Sequence, residues 1–358
     1  MDLQEFRKEI DRLDEKILEL LNHRMDIVKE IGCCKKREGS VIYRPERERE
    51  ILARLNAKNS GSLSSAAIEA IFLEIFAASR NLELPERVAY LGPVGSHTHQ
   101  AAESRFGAMS AYLSMNTITS IFKTVESGRA KYGVVPIENN KNGAVGETLD
   151  LLGEGSLKII AELTMPIHHT FATTCDSLKE VRRIYSKDIA FGQCLNFLNE
   201  YNLEGVERIP VDSTAKAAQL ASKEPYTAAI CSHIAAKLYR LPTLFENIED
   251  SQNNKTRFVI ISDFTNAPSG ADKTSILADL SHTNKPGSLV EFLKDISHHN
   301  LNMTKIESRP KRNNESSDFS FQFFIDFEGH IDDENVQKLL NKHKQEIRWL
   351  GSYPKGEG

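Results

Sequence analysis

The N-terminal segment carries an apolar repeat that only a long helix can bury. Large apolar side chains recur in alternating steps of three and four, at Leu3, Phe6, Ile10, Leu13, Ile17 and Leu20. No proline interrupts the sequence before Pro45, so the pattern predicts one helix from Asp2 to about Lys36. Such a helix would be ~50 Å long, which exceeds the diameter of a small domain. The repeat therefore requires a partner chain or several helices packed along it.

A cation interrupts this apolar stripe. The repeat places Arg24 in line with Ile27 and Ile31, and a buried charge is very unfavourable unless it meets an anion. At ~100° per residue, Lys35 returns to within ~20° of Arg24, whereas Arg7 is displaced by roughly 100°. Two interpretations are open: a salt bridge to a glutamate, or a pocket for an anionic ligand.

Two shorter helices are predicted to follow. One begins at about Arg44 and Pro45, because proline is favoured at the first helical position. The other follows Ser64 and Ser65, whose hydroxyls are suited to capping a helix N-terminus. The cations of this segment form a cluster that suits a small dianion, namely Arg7, Arg24, Lys35 and Arg47.

The charged positions of this segment resemble those of the all-helical chorismate mutases. The resemblance is carried by Arg7-Lys8-Glu9-Ile10-Asp11, Asp14, Arg24, Lys35, Arg44-Pro45-Glu46-Arg47-Glu48 and Ser79. It implies a homodimer, or a higher homo-oligomer, in which the long helices pair. It also implies a reaction without a nucleophile or cofactor. The rearrangement of chorismate to prephenate is unimolecular and needs only a compact conformer and stabilisation of developing charge.

The same resemblance assigns roles within the mutase site. Arginines would hold the substrate carboxylates and a glutamate the ring hydroxyl, so the substrate-binding residues would be Arg7 of the partner subunit, Arg24, Arg47, Glu48 and Ser79. Lys35 would donate to the ether oxygen, where negative charge grows as the bond breaks. Glu83 would face that oxygen as a neutral acid, because a carboxylate would repel the growing charge.

Short apolar strands alternate with helices from Val88 to about residue 265, which predicts an α/β layer architecture. Tyr132–Asn139 has the composition of a buried strand ending in polar residues. A late strand beginning at Thr256 is expected to return to the first of two lobes, with a ligand cleft between them. This arrangement is similar to periplasmic-type binding folds.

Several motifs of this segment resemble prephenate dehydratases. They are Ala89-Tyr90-Leu91-Gly92-Pro93, Val135-Pro136-Ile137-Glu138-Asn139, Asp212-Ser213-Thr214-Ala215 and Asn254-Lys255-Thr256-Arg257-Phe258. The resemblance implies that Thr256 is catalytic and assists departure of the ring hydroxyl as carbon dioxide is lost. It further implies that Arg257 binds a substrate carboxylate, that Ser96 and Asn139 contact substrate, and that no metal is needed.

The sequence departs from the dehydratase pattern at Val94, His97 and the pair Asn140-Lys141. His97 joins several histidines, including His168-His169, that invite a metal-site interpretation. Adjacent histidines on a strand point to opposite faces, and no carboxylate or cysteine completes a ligand set in the pattern. We therefore expect no metal.

The C-terminal segment, after a break at residues 266–270, has the predicted order βαββαβ of a ferredoxin-like sandwich. Pro286-Gly287-Ser288-Leu289-Val290 and Glu307-Ser308-Arg309-Pro310 resemble the ACT domain of phenylalanine-sensing dehydratases. The implied effector-binding residues are Gly287, Ser288, Leu289, Glu307, Ser308 and Arg309. A domain that serves dimerisation alone is the alternative, since a fold does not prove a ligand.

Composition limits the other classes of protein. With 45 Lys and Arg against 50 Asp and Glu, the chain lacks the basic surplus of a nucleic-acid binder. Its apolar runs are too short to span a bilayer, and the N-terminus has no signal-peptide pattern. Five cysteines without framework spacing are typical of reduced thiols in a cytoplasmic protein.

Together these patterns predict a multidomain enzyme with an all-α three-helix mutase domain (residues 1–84), a two-lobed α/β dehydratase domain (87–265) and an α+β ACT domain (270–358). We expect it to act on chorismate and prephenate in phenylalanine biosynthesis, with L-phenylalanine as inhibitor. Arogenate dehydration and a non-catalytic sensor of phenylalanine or prephenate are the alternatives.

Overall fold

The computed structural model describes residues 2–38, 45–83, 87–251, 253–280, 286–311 and 321–356, without the side chains of residues 35–38 and 83. Two compact units are present. The helical unit comprises Met1–Glu86 and Arg105–Ala111, and the α/β unit comprises Arg87–Ser104 and Tyr112–Gly358. Within the described residues, no helix is both long and apolar enough to cross a membrane.

The three predicted helices of the first unit are present. They are α1 (Leu3–Glu38), α2 (Pro45–Lys58) and α3 (Ser65–Glu83). At the start of α1, the Glu5 N–H donates to the Asp2 carboxylate at 2.8 Å and the Asp2 N–H donates to the Glu5 carboxylate at 2.9 Å. This reciprocal pair satisfies two of the donors that a helix N-terminus leaves free. Pro45 opens α2, and the Ser64 hydroxyl accepts from the Ala67 N–H at the start of α3.

Among the described residues, the apolar repeat of α1 is left exposed. We call the following residues the α1 seam: Leu3, Phe6, Ile10, Leu13, Ile17, Leu20, Ile27 and Ile31. Their exposed fractions run from 43% to 68%. A different stripe of α1, including Val28, is buried in the helical unit together with Ile68, Phe76 and Ala77 of α3. The repeat thus predicts the helix correctly, but the face of α1 that packs against α3 is the one with Val28 and not the α1 seam.

The α/β unit is built from alternating strands and helices in two lobes, followed by a C-terminal layer. Its first part consists of β1 (Arg87–Leu91), α4 (His97–Phe106), β2 (Ala111–Met115), α5 (Ile118–Glu126), β3 (Tyr132–Asn139), β4 (Gly143–Ala144), α6 (Gly146–Glu154) and β5 (Lys158–Pro166). Its second part consists of β6 (Thr170–Thr173), β7 (Arg183–Ser186), α7 (Asp188–Gly192), α8 (Leu195–Glu200), β8 (Glu207–Pro210), α9 (Thr214–Ala221), β9 (Thr227–Cys231), α10 (His233–Leu238) and β10 (Thr243–Phe245).

The late strand β11 (Lys255–Ser262) returns to the first lobe, as predicted. The first sheet has the order β2-β1-β3-β11-β5, with β4 beside β3, and the second has the order β10-β6-β9-β7-β8. Strand β11 is antiparallel to both of its neighbours, so Thr256 lies opposite Asn139 on one side and Met165 on the other. The chain therefore crosses between the lobes twice, after β5 and before β11.

The C-terminal layer has the predicted order βαββαβ. Its elements are β12 (Asp272–Asp279), α11 (Ser288–His298), β13 (Met303–Pro310), β14 (Phe321–Glu328), α12 (Glu334–Lys342) and β15 (Ile347–Pro354). The strands form one antiparallel sheet in the order β13-β14-β12-β15. Most of the polar stretch at residues 311–317, between β13 and β14 in the sequence, lies outside the described residues.

Some short elements are absent from the sequence prediction. Strand β10 has three residues, and helices α7 and α8 have five and six, too few for an apolar period to become visible. Strand β2 lies at the edge of its sheet and is only partly buried, so its sequence lacks the continuous apolar run of a central strand. Strand β5 extends to Pro166 and pairs with β11 along its whole length, from Lys158 to Pro166.

Gly351 marks the closest approach of the C-terminal sheet to the first lobe. It has φ +152, and a Cβ atom there would overlap the backbone oxygen of Ile159 on β5. The side-chain amide of Asn266 joins the same two strands by donating to the carbonyls of Ile160 at 2.6 Å and Ser352 at 3.1 Å. The two sheets therefore meet backbone to backbone.

We predict that Gly351→Ala destabilises the α/β unit by more than ~1 kcal/mol, because alanine at this φ is strained and its Cβ displaces a backbone. Urea unfolding followed by circular dichroism measures the loss. Gly205→Ala is the matched control, since a Cβ there meets nothing within 4 Å. Equal unfolding midpoints for the two variants would contradict the close packing of β15 on β5.

Candidate active sites

In the helical unit, Arg24 and Ser79 are brought together. The Arg24 guanidinium donates to the Ser79 hydroxyl at 2.5 Å, and that hydroxyl donates to the Ile75 carbonyl at 2.6 Å. Arg24 is half-buried, so its charge lies between the helices and not in bulk water. This contact between Arg24 and Ser79 was not predicted from the sequence, and their contact with substrate stays a prediction.

Glu48 is a buried charged residue of the helical unit. Its carboxylate is paired with Arg80, which the sequence analysis did not single out, and lies 3.7 Å from Arg105. The second carboxylate oxygen, Oε2, is buried and accepts no hydrogen bond within the described residues. An acceptor held in this way is suited to a substrate hydroxyl, the role expected of Glu48.

The remaining cations of the mutase set lie apart. Arg47 is exposed and pairs with Glu50 at 2.7 Å. Arg7 is exposed near the start of the continuous helix α1, and a rise of 1.5 Å per residue puts it ~25 Å along the axis from Arg24. Lys35 and Glu83 lie in the last turns of α1 and α3, with side chains outside the described residues. One chain therefore does not bring Arg7 to Arg24.

In the α/β unit, Thr256 and Asn139 form the centre of the candidate dehydratase site. The Asn139 amide nitrogen donates to the Thr256 hydroxyl at 2.9 Å and to the Asn254 side-chain oxygen at 2.9 Å. The Asn139 side-chain oxygen accepts from the N–H groups of Lys141 and Asn142, both at 3.0 Å. These two backbone donors fix which end of the amide faces Thr256.

Within the described residues, this arrangement leaves the Thr256 hydroxyl proton without an acceptor. Thr256 is buried, and its oxygen accepts a hydrogen bond from Asn139. A hydroxyl that accepts from an amide keeps its own proton for another acceptor. The site can therefore present one oriented O–H donor to a ligand oxygen, which is the chemistry expected of the catalytic threonine.

Ser96 has a structural role at the neighbouring turn. Its hydroxyl donates to the Leu91 carbonyl at 2.7 Å and accepts from the His99 N–H at 3.2 Å, so it caps helix α4. The turn is joined to the second lobe through the Ser232 hydroxyl, which donates to the Gly95 carbonyl at 2.6 Å. A substrate contact from Ser96 stays a prediction.

Arg257 contacts three carboxylates. Its guanidinium lies 2.7 Å from Asp326, 3.1 Å from Glu162 and 3.3 Å from Glu138. Burial works against charge on this side chain, but the acidic neighbours, Asp326 first, raise the pKa of Arg257 above its ordinary value. The expectation that Arg257 binds a substrate carboxylate stays a prediction, and in this structure those three carboxylates surround its guanidinium.

His97 faces His169 across the two lobes, with ring centroids 5.9 Å apart. The His97 side chain is partly exposed, but both of its ring nitrogens are buried and have no hydrogen-bond partner in the described chain. His169 is bonded to Gln193 at 2.7 Å, and His168 to Glu249 at 2.6 Å. Within the described residues, no group of three or more His, Cys, Asp or Glu could hold a metal ion.

The environment of His97 disfavours its protonation. Burial, reinforced by the neighbouring His169 and His168, lowers the pKa of His97 from 6.5 to about 4. Between these values the unfolded chain binds a proton at this position and the folded chain does not. The free energy of unfolding therefore rises with pH across this window. The stability that the neutral His97 contributes is lost as pH falls from 6.5 towards 4.

The predicted effector residues lie at two places in the C-terminal layer. Gly287, with φ +96, precedes α11, and Ser288 and Leu289 form the first turn of that helix. Glu307 and Arg309 share the more buried face of β13, and Ser308 points to the other. Arg309 reaches the first lobe, where its guanidinium lies 3.1 and 3.2 Å from the two carboxylate oxygens of Asp150.

We predict that His97→Phe stabilises the protein at low pH relative to the parent, because the variant has no imidazole to protonate on unfolding. Lowering the pH from 7.5 to 5 should change the difference between the two free energies of unfolding by about 2 kcal/mol. Urea titrations at both pH values measure it. The control is His233→Phe, which removes an exposed imidazole. If this variant shows the same pH-dependent gain in the free energy of unfolding, the burial of His97 is not the cause of the effect.

Two family models match the chain. One described as chorismate mutase type II matches residues 6–84, and one described as prephenate dehydratase matches residues 88–266. Among solved structures, the prephenate dehydratase of Arthrobacter aurescens in complex with L-Phe is 31% identical, with a TM-score of 0.66. The match covers 75% of this chain and 90% of that chain.

Curated relatives match both segments in a single polypeptide. The bifunctional chorismate mutase/prephenate dehydratase of Aquifex aeolicus is 42% identical, over 99% of this chain and 98% of the relative. The protein of the same description from Pseudomonas aeruginosa is 39% identical, with the same coverage of both chains. The resemblance predicted from the motifs is thereby confirmed, and the chain belongs to the family of bifunctional chorismate mutase/prephenate dehydratases.

Proposed function

We propose that this protein converts chorismate to prephenate and prephenate to phenylpyruvate in L-phenylalanine biosynthesis, and that L-phenylalanine inhibits it. The observation that carries the proposal is the Thr256 hydroxyl, held by Asn139 with its proton free for a ligand oxygen. We assign residues 1–84 to the mutase, 87–265 to the dehydratase and 270–358 to regulation. The ranges of the two family models support the first two assignments. A cytoplasmic location follows from the reduced-thiol interpretation of the cysteines.

The mutase is proposed to work as a homodimer with shared sites. The exposed α1 seam offers a second copy of the chain a long apolar face, and burying that face is the main driving force available to it. In an antiparallel pairing of two α1 helices, Arg7 of the partner subunit would approach Arg24. This explains how residues ~25 Å apart on one helix can serve one substrate.

In that site the protein supplies position and charge. Arg24, Arg47 and Arg7 of the partner subunit hold the carboxylates of chorismate in a compact conformer, and Glu48 Oε2 accepts from the ring hydroxyl. As the ether bond breaks, negative charge grows on its oxygen and Lys35 stabilises it. Glu83 donates to the same oxygen in its neutral form. Bringing the reacting carbons together and stabilising developing charge lowers the barrier without covalent catalysis.

In the dehydratase site, Thr256 assists the leaving group. The bond between the ring and its carboxylate breaks, and carbon dioxide leaves. The released electron pair enters the ring as the bond to the ring hydroxyl breaks. The hydroxyl departs as water when the Thr256 O–H passes it a proton, and Thr256 takes a proton back from solvent, so the reaction consumes one proton overall. Asn139 keeps the Thr256 hydroxyl oriented, and aromatisation drives the step. Arogenate differs from prephenate at the side-chain carbonyl and is the second candidate substrate.

L-Phenylalanine is proposed as the effector of the C-terminal layer. Its βαββαβ order and sheet order β13-β14-β12-β15 support the ferredoxin-like ACT assignment. The Arthrobacter aurescens dehydratase was solved with L-Phe bound, which supports the same ligand here. The effector would lie between the turn of Gly287, Ser288 and Leu289 and the strand segment of Glu307, Ser308 and Arg309. Binding must favour one conformation of the two-lobed unit to count as regulation.

We predict that Thr256→Ala lowers dehydratase turnover roughly 10²-fold or more, because the leaving hydroxyl loses its proton donor. The mutase should be unaffected, so prephenate accumulates from chorismate.

Chromatography of reactions started from chorismate, prephenate or arogenate identifies the products of the parent and of the variant. Assays of the parent with added L-phenylalanine test inhibition. Phenylpyruvate formation by Thr256→Ala at the parental rate would give Thr256 a structural role. A parent that turns over no substrate would support the sensor alternative.

Mixing two inactive variants tests the shared mutase site. Arg7→Ala and Arg24→Ala chains should each be inactive, and their heterodimer contains one intact site. Equal mixtures should recover about one quarter of parental activity, because half of the dimers are heterodimers. Arg12→Ala, an exposed position paired with Glu9 on the same helix, is the control. No recovery after demonstrated subunit exchange would exclude a site shared between subunits.

A further inference from the structure

The two residues at the centre of the dehydratase site each have a charged neighbour in sequence. Glu138 precedes Asn139 on β3, and Arg257 follows Thr256 on β11. The strand register pairs Thr256 with Asn139 and Arg257 with Glu138. Because successive side chains of a strand point to opposite faces, the charged pair lies behind the pair that faces substrate.

Both charged neighbours reach the C-terminal sheet. Arg257 donates to Asp326 of β14 at 2.7 Å, and Lys305 of β13 lies 2.6 Å from the Glu138 carboxylate. Arg257 and Glu138 are themselves 3.3 Å apart. Two strands of the C-terminal sheet thus form ion pairs, through one side chain each, with the residues next to Thr256 and Asn139.

The Asp326 end of this bridge is rigid. Asp326 is fully buried, and its second oxygen accepts from the Ser275 hydroxyl at 2.5 Å. Ser275 is in turn bonded to the hydroxyl of Tyr353 at 2.7 Å. These residues come from three adjacent strands of one sheet, so Asp326 cannot move without displacing the interior of that sheet.

Charge is balanced across the bridge. Glu162 of β5 lies between Arg257 at 3.1 Å and Lys273 of β12 at 2.6 Å. Burial works to raise the pKa of the Glu162 carboxyl, but the neighbouring cations, Lys273 first, lower it below its ordinary value. Three cations therefore meet three carboxylates in a largely buried layer, where removing one partner leaves an uncompensated charge.

We propose that Asp326 is a positioning residue for the dehydratase reaction, acting through Arg257 to fix the backbone that carries Thr256. The inference rests on the proposed function and assigns the C-terminal sheet a part in the basal reaction, before any effector binds. Lys305 acts in the same way through Glu138 on the backbone of Asn139. Neither Asp326 nor Lys305 touches substrate.

The test compares Asp326→Asn, Arg257→Gln and the double variant. Asp326→Asn keeps the shape of the side chain and removes its charge. We expect dehydratase kcat to fall roughly 10- to 100-fold, the range that follows from a misplaced catalytic group, with KM for prephenate within about twofold of the parent. Arg257→Gln should match it, and the double variant should be no worse than the poorer single variant, because both remove one coupled unit.

Asp279→Asn is the matched control. It breaks an ion pair with Lys311, 2.7 Å away, at the other end of the same sheet, and should leave dehydratase kcat unchanged. Mutase activity on the same chains and the unfolding midpoint report whether each variant is folded. If Asp326→Asn unfolds, Ser275→Ala and Lys305→Met weaken the bridge more gently and should each lower kcat by several fold.

The outcomes separate the two claims. A parent without dehydratase activity would refute the proposed function. An active parent with Asp326→Asn at parental kcat would refute the positioning role. A raised KM confined to Arg257→Gln, with additive losses in the double variant, would overturn it in favour of direct substrate binding by Arg257. A fall in kcat for Asp279→Asn equal to that of Asp326→Asn would also overturn it, because any change in the sheet would then suffice.

Discussion

The insertion of β11 between β3 and β5 is the constraint on which the α/β unit depends. A strand from late in the sequence becomes a central strand of the first sheet, and its register places Thr256 against Asn139, 117 residues earlier. Every other feature of the dehydratase site follows from that pairing. The second lobe must be inserted between β5 and β11, so a cleft between two lobes is a consequence of the strand order.

The same pairing explains why Thr256 and Asn139 lie on one face of the sheet and the ion pairs of Arg257 and Glu138 on the other. Alternation along β11 gives Thr256 to one face and Arg257 to the opposite one. The C-terminal sheet covers the second face, and Asp326 meets the guanidinium there. Without the C-terminal sheet Arg257 would lose Asp326, its closest partner, and would keep Glu162 and Glu138 of the first lobe.

Local patterns were sufficient to predict most of the elements but not the pairs that assemble the sites. The apolar repeat predicts α1, and the buried runs predict β3 and β11, because periodicity and strand composition are local properties. The contact of Arg24 with Ser79 and that of Glu48 with Arg80 join different helices. No single-sequence period encodes them. Arg80 carried one weak signal, because it is the one cation in the sequence of α3.

The substrate contact expected of Arg257 rests on the motif alone and stays a prediction. The place of Arg257 beside Thr256 led the sequence analysis to expect a substrate contact, since the resemblance gives the motif no direction in space. The carboxylates that surround it come from β3, β5 and β14, and a partner from β14 can be found only once the C-terminal sheet is placed against the first lobe. The two sites consequently differ in completeness. Thr256 and Asn139 meet within one chain, whereas Arg7 and Arg24 are separated by about half the length of α1, whose apolar seam is exposed. Pairing of two seams would make mutase activity depend on protein concentration through the dimer equilibrium, while the Thr256–Asn139 contact would form in the monomer as well.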